Sequence, residues 1–132
     1  MKTSFITILS ICAVIITGCT TQVVVDPMSG ELKTAKYQAG FFTAPVDAPV
    51  DQIFKVAITA VDAMGYFRTG ELHKQSSVMI YARKVGDQKV TVRIGPPSDE
   101  ETTALSEVRI RIGNLGNLAE SQAIYDRIIE SL

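Results

Sequence analysis

Cys12, Cys19 and His73 carry the most reactive side chains in this sequence, and their positions limit what they can do. Both cysteines fall within the first nineteen residues, so the body of the chain has no disulfide framework, CxxC redox pair or cysteine-rich zinc site. His73 is the single histidine, near a strand end beside Glu71. That excludes a multi-histidine metal site, and no serine stands in a G-x-S-x-G elbow. The expected catalytic set is empty, and neither a metal nor a cofactor is expected. Gly113-Asn114-Leu115-Gly116-Asn117 precedes a helical pattern whose first amides could hold an anion. A structural turn with a helix cap accounts for the same residues, and GxxG spacing is too common to be specific. Arg93, Arg109 and Arg111 alternate with apolar residues, and guanidiniums held on one surface pair with phosphates or carboxylates.

Cys19 differs from these because of what precedes it. Met1 to Cys19 reads "MKTSFITILSICAVIITGC": the positive Lys2, an apolar run from Phe5 to Ile16, then Thr17 and Gly18. This order of charged, apolar and small residues is that of an export signal. The run is about 12 residues, whereas a permanent span needs about 20. A helix apolar on all sides at the head of the chain would otherwise need a buried position in the core.

Ile16-Thr17-Gly18-Cys19 resembles the bacterial lipobox, Leu-Ala/Ser-Gly/Ala-Cys, with Ile16 in place of the commoner leucine. The resemblance implies cleavage between Gly18 and Cys19, a diacylglycerol thioether on Cys19, and an acylated amino group, palmitate being the usual chain. Two or three chains anchor stably, since each buried CH₂ contributes about 0.8 kcal/mol and one chain is marginal. Thr20 stands where an aspartate would favour inner-membrane retention. The expected address is therefore the periplasmic face of a bacterial outer membrane, ahead of the inner membrane.

The elements that position the arginines follow from hydrophobic period. The 132 residues, 46% hydrophobic, suffice for one domain, and a formal charge of -1 gives no bulk attraction to nucleic acid. The chain divides into a signal peptide (1–18), an N-terminal tether (19–35) that reads either as a short hairpin turning through Asp26 to Gly30 or as a polar, aperiodic segment, and a compact domain (36–132). "KYQAGFFTA" reads as one strand. Val50, Ile53, Phe54, Ala57, Val61 and Met64 then form one face of a helix, with Asp47 as its cap and Gly65 as its end. From Tyr66 the period is two, and "YFRTGELH", "SVMIYARK", "KVTVRIG" and "LSEVRIRIG" read as four strands. Asn117 and Glu120 form a capping-box pattern before a closing helix with Leu118, Tyr125, Ile128, Ile129 and Leu132 on its stripe and Ile124 at its edge. The fold class expected is α+β: an antiparallel sheet of about five strands with two helices on one face, in the order strand, helix, four strands, helix.

From "GELKTAKY" through "DAPVDQIFKVAITAVDAMGY" to "TALSEVRIRIGNLGNLAESQAIYDRII" the chain is similar to a family of small bacterial lipoproteins of unknown function. The element order also resembles the helix-grip domains of the BamC outer-membrane lipoprotein, and "VDAPVDQIF" resembles the strand-to-helix entry of Bet v 1/START-like folds. These last two likenesses imply an apolar cavity between sheet and helix. Two functions follow. One is a non-enzymatic interaction or structural module of the cell envelope, held to the membrane through Cys19 and facing an envelope protein partner. The other is a carrier of a small apolar ligand or lipid. The candidate surface-binding patch in either is Arg93, Arg109 and Arg111, which Arg83 could join; a solvated face balanced by Glu107 and other acids accounts for the same residues.

Overall fold

A computed structural model of the protein describes residues 21–25, 33–100 and 102–132. The expected signal peptide, Cys19 and the turn expected through Asp26 to Gly30 lie outside the described residues. Val90, Val92, Ile94, Val108, Ile110 and Ile112 alternate with polar residues and are all buried, as a sheet with one covered face requires. The strands are β1 (Thr21–Val25), β2 (Lys33–Gln38), β3 (Phe41–Val46), β4 (Phe67–His73), β5 (Val78–Lys84), β6 (Gln88–Gly95) and β7 (Ser106–Ile112). Helix α1 (Val50–Ala63) joins β3 to β4, and α2 (Leu118–Glu130) follows β7. Every pairing is antiparallel, in the spatial order β1-β2-β3-β7-β6-β5-β4.

This corrects the expected sheet of about five strands and its order. The sheet has seven strands among the described residues, and three of them precede the first helix. The stretch read as one strand, "KYQAGFFTA", folds back at Ala39-Gly40, where both residues take positive φ (51° and 78°). Two such residues between Gln38 and its partner Phe41 make a type I′ hairpin turn, whose twist suits the flanking strands. Beyond it, β2 pairs with β1 from Thr21↔Tyr37 to Val25↔Lys33.

Helix α1 has Pro49 at its N-cap position, two residues later than the expected cap Asp47, and no side chain caps it. Its C-terminus closes with Gly65 N–H on the Asp62 carbonyl and Tyr66 N–H on Val61. This Schellman pattern needs the left-handed φ of 79° that Gly65 supplies. Ile53, Ala57, Ala60 and Val61 of α1 and Ile124, Tyr125 and Ile128 of α2 are buried, against Phe42, Ile80, Val92 and Ile110 of the sheet. Ile124 therefore sits inside the stripe rather than at its edge, and Leu132 is 39% exposed. Tyr125 packs on Phe42 with ring centroids 5.5 Å apart and donates its hydroxyl to the Pro45 carbonyl at 3.0 Å. Pro45 is accommodated because the β2 ladder ends at Lys36↔Thr43, so its missing N–H leaves no rung unfilled.

Candidate functional site

Helices cover only one face of this sheet, and the register shows what the other presents. One cross-strand row runs Leu72, Met79, Arg93, Arg109, Thr43, Lys36 from β4 to β2. The adjacent row runs Tyr81, Thr91, Arg111, Phe41, Gln38. The three arginines expected together are thus on one face, with Arg93 and Arg109 directly opposed on β6 and β7. Arg83 lies on the same face at the far end and is paired with Asp87 at 2.7 Å.

The centre of this face is built around an aromatic ring. The guanidinium carbons of Arg109 and Arg111 lie 4.1 and 4.7 Å from the centroid of Phe41, so one ring supports both cations. Arg111 also donates to the Asn114 carbonyl. The Nε of Arg109 is buried and makes no hydrogen bond within the protein. Among the described residues no carboxylate lies within ion-pair distance of Arg93, Arg109 or Arg111. Beside Arg109 a groove of about 330 Å³ is lined by Lys36, Phe41, Thr43, Ser98, Asp99 and Glu107. Its acids are engaged within the groove: Asp99 with Lys36 at 2.8 Å, and Glu107 with the amide and hydroxyl of Ser98 at 3.1 and 2.7 Å.

A second polar cluster lies on the helix side, and sequence reasoning saw only part of it. Asn117 caps α2, its side-chain oxygen accepting from the Glu120 amide at 3.1 Å. The Glu120 carboxylate, expected to close the capping box, accepts from the Asn117 side-chain amide at 3.4 Å and also from the Tyr66 hydroxyl at 2.5 Å, Gln88 at 3.0 Å and Lys84 at 3.3 Å. Burial pushes this carboxyl up, but the bonds from Tyr66, Lys84 and Gln88 outweigh that and leave it below its ordinary value. Tyr66 moves far upward, first through burial and then through the adjacent carboxylate. With Lys84 5.2 Å from the Tyr66 ring centroid, this is a satisfied tie between α2, the end of α1 and the β5–β6 hairpin. Tyr66, Lys84 and Gln88 stand 32 to 54 residues from Glu120, so no local signal announced them.

His73 is exposed, 3.3 Å from Glu71 and edge-on to Phe54 at 5.3 Å. No group of three or more metal-capable side chains occurs among the described residues. The Gly113 to Asn117 segment packs against the β2–β3 turn: a Cβ on Gly116 would collide with Gly40 and with the Tyr37 hydroxyl, and one on Gly40 with the Leu115 carbonyl. The linker is a backbone-to-backbone contact, and its helix cap is taken by Asn117.

The chain belongs to a protein family of unknown function, DUF3568, whose model matches residues 2–131. A comparison with curated proteins finds no match.

Proposed function

We propose that the protein is a lipid-anchored envelope lipoprotein, acylated at Cys19 and displayed on the periplasmic face of the outer membrane as a non-enzymatic interaction module. The observation that carries this reading is Ile16-Thr17-Gly18-Cys19 closing an apolar run too short to span. Two features of the folded part support it. Strand β1 begins at Thr21, two residues beyond Cys19, so the anchor would be joined almost directly to the sheet edge. Side chains of both helices meet the sheet in close packing, with Ile53, Val61, Ile124, Ile128 and Ile110 excluded from solvent. That packing favours an interaction module over the carrier.

The test is Cys19→Ala in a bacterial host with labelled palmitate. The wild type is expected to incorporate label and lose residues 1–18, and the variant to remain at precursor length without label. Normal processing and labelling of the variant would refute the assignment. The same cells separate the two membranes: the wild-type protein is expected in the outer-membrane fraction.

A further inference from the structure

The formal charge of -1 conceals a strong separation of charge. The two helices carry five acids, Asp51, Asp62, Glu120, Asp126 and Glu130, against Lys55 and Arg127. The uncovered sheet face carries Lys36, Arg83, Lys89, Arg93, Arg109 and Arg111 against Glu107 on its strands and, from the loops, Asp99 and Asp87, which pair with Lys36 and Arg83. A molecule so divided turns its sheet toward a negative surface. Arg93 and Arg109 stand directly opposite each other, an arrangement that costs stability in water unless an anion lies between them. The unsatisfied Nε of Arg109 points to the same lack of a partner.

We propose that this uncovered face docks on a bilayer surface rich in anionic phospholipid, with Arg93, Arg109 and Arg111 on headgroup phosphates. It rests on the lipoprotein reading only in taking a bilayer to be within reach: Thr21 lies two residues from Cys19, about 7 Å of extended chain. What selects lipid over a glycan or an acidic protein is the company the cations keep. Next to the arginines on the same face lie Met79 and Tyr81, and at the β4 edge Leu72 and Phe67, 42% and 67% exposed. A bilayer interface takes both kinds of group, guanidiniums at the phosphates and apolar side chains at the acyl boundary. A soluble polyanion takes only the first.

The experiment is sedimentation of the full chain with vesicles of phosphatidylcholine alone or mixed with phosphatidylglycerol. Two variants accompany it, Arg93→Glu/Arg109→Glu and the milder Arg93→Gln/Arg109→Gln. All three proteins carry the same apolar run, so its contribution cancels. Each guanidinium near an anionic surface contributes about fivefold, so with three arginines the wild type is expected to prefer phosphatidylglycerol about 100-fold, with the preference abolished by high salt. The glutamine variant should lose about 25-fold and the glutamate variant more. Equal binding to both vesicles, or a preference unchanged in the glutamine variant, overturns the proposal. So does capture on heparin without headgroup preference, which assigns the face to a glycan. Acylation at Cys19 is read separately and stands or falls apart from these outcomes.

Discussion

Replacing Glu120 by glutamine keeps the shape of the side chain but removes the charge that Tyr66, Gln88 and Lys84 all donate to. The Glu120 side chain is 20% exposed, so solvent cannot replace these donors fully. A hydrogen bond to a charged group contributes about 1.5–3 kcal/mol. The amide introduced in Glu120→Gln would compete with Gln88 as a donor, while Lys84, 40% exposed, adds little. A loss of about 2 kcal/mol is expected at neutral pH, a fall in Tm of roughly 8 °C for a domain of this size. The pH dependence separates this reasoning from a packing defect. Because the folded-state pKa of Glu120 is depressed, its stabilisation is complete above the unfolded value of about 4.3 and is lost as pH falls through the folded value. Urea unfolding of Glu120→Gln and wild type across that range should show a gap at neutral pH that closes in acid. A gap of the same size at about pH 3, or none at neutral pH, would refute the charge-hub account.

Two further substitutions probe the backbone contact and the acidic side of the molecule. Gly116→Ala combines a left-handed φ of 84° with a collision against Gly40 and Tyr37. It should destabilise by roughly 2–5 kcal/mol. Gly113→Ala, at φ 66° with open space around it, should cost only about 1–2 kcal/mol; equal losses in thermal unfolding would remove the close approach from the explanation. Asp126 is raised, first by burial and then by Glu130, so its ionised form weakens the fold above the ordinary aspartate range. Asp126→Asn should therefore raise Tm slightly at neutral pH, with the gain vanishing in acid; a decrease at neutral pH would contradict it.

The helices and strands β5, β6 and β7 were legible because each keeps one period over most of its length, as Val90, Val92 and Ile94 do, whereas β4 is exposed throughout and breaks register between Arg68 and Gly70. The hairpin at Ala39-Gly40 was not, because alanine at φ 51° is an uncommon first residue for a type I′ turn and Asn-Gly would have announced it. A strand was lost with it. The arginine face illustrates the boundary between pattern and register. Alternation places Arg93, Arg109 and Arg111 on one side, but only the pairing of β6 with β7 puts Arg93 opposite Arg109. Phe41, the ring beneath two of these cations, lies in the hairpin that alternation does not reveal, so nothing local marks its role. Glu120 is recognisable as a local capping residue, and its distant donors are invisible to any window reading.

The pairing of β3 with β7 has a temporal consequence. Phe42 closes on Ile110, so the centre of the sheet joins a strand met early in the chain to the last strand of all. Local hairpins such as β5–β6 form quickly, but this seam waits for most of the chain to arrive. In a protein delivered amino terminus first, the β1–β2–β3 ribbon has no central neighbour until β7 emerges.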